Sequence, residues 1–198
     1  MTRLSVSEQL RAAGLLLLPG GVPPAPLPLK AAWLLAACGP GDGRKDAWVD
    51  GWVDEDVPGL EEEANKGWFA LAVEQGLFGP EREFLVHVPF DGDSSGWVRV
   101  RLLDEWDIMG AGAASGLLGS GSGYPEFVMA SLDGRVGMRG TTYQSGVSSI
   151  VVPEPWRAPT VYTYMNRLTE RATQPDTLDE YDREQVQAWL EYVQHHMR

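Results

Sequence analysis

Residues 84–103 read Phe84-Leu-Val-His-Val-Pro-Phe90, Asp91-Gly-Asp-Ser-Ser-Gly96, Trp97-Val-Arg-Val-Arg-Leu-Leu103. Two apolar runs of strand length flank a turn-rich segment, which is the pattern of a β-hairpin. In the first run Phe84, Val86, Val88 and Phe90 share one face; in the second Val98, Val100 and Leu102 do, while Trp97, Arg99 and Arg101 point the other way. One face is therefore core, and the other is either solvated or covered.

Working outward, Tyr124 to Leu132 and Arg135 to Arg139 flank an Asp133-Gly134 turn, a strong short-range hairpin signal, and Val147 to Val152 adds a further strand. The continuous apolar run Trp68-Phe-Ala-Leu-Ala-Val73 also reads as a strand, one buried on both faces. Pro153, Pro155 and Pro159 stop the sheet. Beyond them Val161, Tyr164, Met165, Leu168 and Ala172 recur at helical spacing. Pro175 breaks that helix, and Thr177-Leu-Asp-Glu180 caps a second with apolar face Val186, Trp189, Leu190, Val193 and Met197. At the other end Ser5-Val-Ser-Glu8 is a capping box for a short helix ending at Gly14, and prolines 23, 24, 26 and 28 enforce an extended connection. The expected fold is α+β: a mainly antiparallel β-sheet, a meander of hairpins, with two C-terminal helices packed on it. The expected organisation is one domain, 1–198, with a Pro-rich N-terminal arm (1–40), a β-rich core (41–152) and a helical tail (153–198).

The 198 residues are enough to bury roughly 70% of the unfolded surface without disulfides. Cys38 is the only cysteine, so an intramolecular disulfide and a cysteine zinc site are both excluded. Leu35-Ala-Ala-Cys38 is a lipobox-like tetrapeptide, but the apolar segment before it is short and prolines crowd its upstream side. A buried segment with a small buried thiol is the favoured reading, and an envelope lipoprotein lipidated at Cys38 is the alternative. A cytoplasmic protein with no membrane partner is expected.

A formal charge of −12 argues against nucleic acid as a partner, because phosphate contacts need clustered Lys and Arg. The acids concentrate between Asp42 and Glu63, where only Arg44 and Lys45 oppose them. Here Trp48-Val-Asp-Gly51 and Trp52-Val-Asp-Glu55 repeat a motif that resembles strand ends around a tight turn. Clustered carboxylates steer a cationic partner. The candidate partner-binding residues are Asp46, Trp48, Asp50, Trp52, Asp54, Glu55, Asp56, Glu61, Glu62 and Glu63. A solvated acidic loop is the plainer alternative.

No catalytic residue, metal site or cofactor is assigned. The hairpin tip starting at Asp91 fails as a calcium loop because Leu102 stands where a bidentate Glu belongs. The tract Gly110–Gly123 has no lysine for a phosphate-binding loop and lacks the third glycine of a dinucleotide fingerprint, so it reads as a flexible loop. His87 is the one histidine inside the sheet and reads as structural, and His195 and His196 read as frayed terminal residues. The expected function is a non-enzymatic acidic protein-binding module, of the kind an immunity protein or antitoxin represents when it blocks a basic nuclease. The alternative is a small enzyme or ligand-binding domain with its pocket between the sheet and the Gly110–Gly123 loop.

Overall fold

A computed structural model of the chain describes residues 4–51, 57–90, 94–174 and 177–197. In chain order the elements are α1 (Val6–Ala12), β1 (Leu15–Leu17), α2 (Leu29–Leu34), β2 (Lys45–Asp50), α3 (Leu60–Glu74), β3 (Glu83–Pro89) and β4 (Ser95–Leu102). They continue with β5 (Phe127–Ala130), β6 (Val136–Tyr143), β7 (Gly146–Pro153), α4 (Pro159–Ala172) and α5 (Glu180–His196). The strands form a seven-stranded sheet in the order β1-β4-β3-β5-β6-β7-β2, and every pairing is antiparallel.

The hairpin of residues 84–103 is β3 and β4, with Phe84 opposite Val100 and His87 opposite Trp97. Alternation sends Phe84, Val86 and Val88 into one apolar layer with α1, α3 and residues 108–118, while Leu85 enters a second layer with α2, α4 and α5. β5 divides the same way, Phe127 and Met129 against Val128 and Ala130. Strands covered on both faces carry continuous apolar runs, which is why β5 and β7 show no polar alternation. Arg99 and Arg101, on the same face as Leu85, both pair with the carboxylate of Glu83.

The N-terminal helix starts as its capping box demands, with the Ser5 N–H donating to Glu8 and the Glu8 N–H to Ser5 Oγ. Gly14 turns the chain into β1 at φ +78°, and any side chain there would strike Trp106. The apolar run Leu15–Leu18 thus supplies an edge strand, taking the Pro-rich arm into the sheet.

Trp68–Val73 is not a strand. It is the second half of α3, whose buried residues Ala64, Trp68, Leu71 and Ala72 recur every three or four positions. Exposed Ala70 and Val73 made the run look continuous. Glu61, Glu62 and Glu63 fill the first turn, where carboxylates oppose the helix dipole favourably. Trp68 anchors the first layer against Phe69, Phe78, Phe84 and Trp106.

Two details of the C-terminal helices also differ from expectation. Asp179, not Thr177, caps α5 by accepting from the Asp182 N–H, while Thr177 Oγ1 donates to the carbonyl of Arg171. Tyr192 is buried where Leu190 and Met197 were expected, and Tyr164 and Ala172 of α4 are exposed. Pro175 lies outside the described residues. No helix among the described residues is long and apolar enough to cross a membrane.

Trp68→Ala is expected to lower unfolding stability by about 3–5 kcal/mol, the range for emptying a large buried aromatic site. Urea denaturation followed by circular dichroism measures it; a loss below about 1 kcal/mol would contradict the packing described for α3.

Candidate functional site

β2 is an edge strand. It pairs with β7 from Lys45↔Val151 to Asp50↔Gly146, and no described strand lies on its other side. Lys45, Ala47 and Val49 share the face toward α3, and Asp46, Trp48 and Asp50 share the opposite face. Of the ten candidate partner-binding residues, Trp52, Asp54, Glu55 and Asp56 lie outside the described residues. The other six line β2 and the first turn of α3, which meet where Gly51 at the end of β2 abuts Leu60 at the start of α3. They occupy opposite faces of the sheet there: Asp46, Trp48 and Asp50 on one, and Glu61, Glu62 and Glu63 with α3 on the other. Nor do the three glutamates belong to a loop, since they are helical.

Some of this charge is compensated locally. Asp46 Oδ2 accepts from Arg44 Nε and Nη2 at 3.1 and 2.5 Å, and Asp50 accepts from Trp48 Nε1 at 2.6 Å. Glu62 pairs with Lys66 at 2.6 Å, and that hydrogen bond holds its carboxyl below the usual range.

An exposed aromatic pair stands on this edge. The rings of Trp48 and Tyr143 lie 5.4 Å apart, and the two residues are 43% and 40% exposed. Their approach requires Gly146, whose missing Cβ would sit 2.8 Å from the Trp48 ring and 2.4 Å from the Val49 carbonyl oxygen. Farther along the same face Arg139 lies 4.3 Å above the ring of Trp33 and donates to the Trp33 carbonyl at 2.6 Å.

On the other side of the corner a cavity of about 530 Å³ has an apolar floor of Leu60, Ala64, Met109, Pro125 and Val147, with Glu61 and Glu62 also in its wall. Its flank is the start of the glycine tract, which is helical where a loop was expected. Residues 108–112 form a π-helical turn whose Ile108, Met109, Gly110 and Gly112 are buried. Asn65 on α3 accepts from the Ile108 and Met109 N–H groups and donates to Asp107, which accepts from the Gly110 and Ala111 N–H groups. Burial pushes the Asp107 carboxyl up, but the hydrogen bonds from Ala111, Asn65 and Gly110 outweigh it and leave its pKa below the ordinary value. Sequence reasoning missed this node; a helix assignment for residues 60–74 would have placed Asn65 one turn after Glu61.

A separate cleft of about 410 Å³ opens between the Pro-rich arm, the hairpin end and α5. His87, Trp97, Tyr181, Glu184 and Gln185 line it. The expected place between the sheet and the glycine tract holds the other cavity, the one of about 530 Å³ that Gly123 and Val147 line, and His87 is not part of it. Burial lowers the His87 pKa to about 4, and its ring meets Trp97 edge-on at 5.5 Å. Among the described residues no carboxylate is hydrogen-bonded to His87, so no catalytic triad is assembled.

His196 is not frayed: it stacks on Trp156 at 4.2 Å and against Tyr192. Cys38 is 2% exposed, its thiol donates to the Leu34 carbonyl, and burial raises its pKa to about 12. Such a thiol is unreactive, and cleavage before it would remove α1, β1 and α2 from the packed layers. Among the described residues no three His, Cys, Asp or Glu side chains are grouped to hold a metal ion. The hairpin tip Asp91–Asp93 lies outside the described residues.

Two outcomes are expected. Because His87 titrates near 4 when folded and near 6.5 otherwise, the folded state binds fewer protons in that interval. Stability therefore falls as pH drops from 6.5 toward 4, and His87→Gln flattens that fall in melting curves taken across the interval. Gly146→Ala is expected to separate Trp48 from Tyr143 and to cost about 1–3 kcal/mol through overpacking, read from near-ultraviolet circular dichroism and urea titration. Compared with known proteins, the chain matches no family model, no curated protein and no solved structure.

Proposed function

We propose that the protein is a non-enzymatic acidic binding module that takes a basic protein partner at the corner where β2 meets α3. The observation that carries this reading is the coincidence, at that corner, of an open strand edge, an exposed aromatic pair and carboxylates from two elements. Large aromatics at a contact supply area at low entropic cost, and surrounding acids raise the encounter rate with a cation. The neighbouring cavity has the chemistry for a Lys or Arg side chain: an apolar floor for the methylene stem and glutamates in the wall for the head. Nucleic acid is disfavoured by the net charge of −12. An immunity-like or antitoxin-like inhibitor of a basic nuclease, acting in the cytoplasm, is the concrete form we favour.

A second reading has its own support. A half-buried neutral imidazole in a cleft with hydroxyl, amide and indole groups suits a small-molecule site.

The test uses an arginine-rich peptide as probe. Reversing Asp46, Asp50, Glu61, Glu62 and Glu63 to Lys is expected to slow association in stopped-flow fluorescence roughly 10-fold or more at low ionic strength, with the difference shrinking as salt is raised. Unchanged association would count against docking at this corner. Reversal at Asp54, Glu55 and Asp56 extends the same test to acids beyond the described residues.

A further inference from the structure

We propose that the basic partner docks by adding an extended strand to the free edge of β2, and that this edge reads a basic-x-apolar-x-basic pattern. The inference rests on the basic-partner reading above and specifies how that partner is held.

The register determines which groups are available. Gly51 N–H donates to the Ser145 carbonyl at 3.1 Å, in the same register that pairs Val49 with Val147 and Ala47 with Ser149. Backbone bonding alternates along an antiparallel pair, so Lys45, Ala47 and Val49 turn their N–H and C=O groups toward β7. Asp46, Trp48 and Asp50 turn theirs outward. The same three residues place their side chains on the face away from α3. An incoming strand therefore meets three outward backbone positions, with a carboxylate at the first and third and the Trp48 ring at the second. Residues at alternate positions on that strand share the same face. Cations opposite Asp46 and Asp50, with an apolar residue opposite Trp48, complete the match. Although Arg44 and Trp48 Nε1 already engage the two carboxylates, each retains acceptor capacity.

The two sheet edges differ in a way that favours this assignment. At the far edge β1 has three residues and is followed after Leu18 by Pro19, so little backbone is offered there. At the near edge β2 offers six residues with no proline. A second copy of this chain is a poor occupant. Antiparallel self-pairing centred on Trp48 would set Asp46 of each copy against Asp50 of the other, and like charges directly opposite are destabilising. The acids that keep the edge from pairing with itself are the ones that select a cationic strand.

The probe is a blocked peptide containing Lys-Thr-Val-Thr-Lys, with a control of equal composition in which the lysines are three positions apart and so face opposite ways. Amide hydrogen exchange of the full chain is read by NMR at about 50 mM salt. Binding of the patterned peptide is expected to slow exchange at Asp46, Trp48 and Asp50 roughly 10-fold or more, with Ala47 and Val49 unchanged, and to exceed binding of the control. Salt-dependent binding without that alternating protection would overturn strand addition and leave the basic-partner reading intact. No binding at all would overturn both. Concentration-dependent protection of the same amides without peptide would instead make a second copy the occupant. The Asp46→Asn, Asp50→Asn double variant keeps every backbone donor; it is expected to lose preference for the lysine pattern, and retained preference would overturn the charge pairing.

Discussion

A single antiparallel sheet buried on both faces is the constraint from which the rest follows. Strands β3, β5 and β7 send alternate side chains into two separate apolar layers, one under α1 and α3 and one under α2, α4 and α5. Once both faces are covered, the sheet can offer backbone to solvent only at its edges. One edge is short and runs into proline; the other carries aspartates and tryptophan. The proposed docking surface is therefore what remains when the sheet has been enclosed.

Two local arrangements shape that corner. Asn65 and Asp107 together satisfy four backbone N–H groups of residues 108–111, which turns a glycine-rich segment into a packed wall. Unsatisfied buried donors would each cost about 1–3 kcal/mol, so the two side chains are structural even though both are polar and near the surface. Gly146 does the complementary work on the opposite face, where its bare Cα lets the Trp48 indole lie across β7 and meet Tyr143. In both places small residues matter for what they allow a neighbour to reach.

Acidity is spread more widely than the Asp42–Glu63 stretch suggests. Several carboxylates elsewhere are already partnered, Glu83 by Arg99 and Arg101 and Asp182 by Lys30. Asp42 is another: burial pushes its carboxyl up, but hydrogen bonds from Thr160 and Gly39 prevail and lower its pKa. A carboxylate committed to internal hydrogen bonds is a poor element of a docking surface. The acids at the β2–α3 corner keep acceptor capacity facing solvent, which separates them from Glu83, Asp182 and Asp42.

Short-range pattern was enough for the elements whose signal is local. The β3–β4 and β5–β6 hairpins and the two C-terminal helices follow from period and turn residues, and the Ser5–Glu8 cap from capping chemistry, all within a few positions. Residues 68–73 were misread because an apolar run of that length fits a doubly buried strand as well as half of a helix; only packing against Phe78, Phe84 and Trp106 decides between them. The acidic stretch was visible as charge, but its meaning was not. That β2 forms an edge beside β7, that α3 starts against it, and that Trp48 meets Tyr143 across Gly146 are long-range contacts. Composition and local period determined that this chain builds a sheet, helices and an acidic surface. Tertiary structure alone decided which backbone was left unpaired, because strand order is set by burying both faces at once and no local segment encodes it.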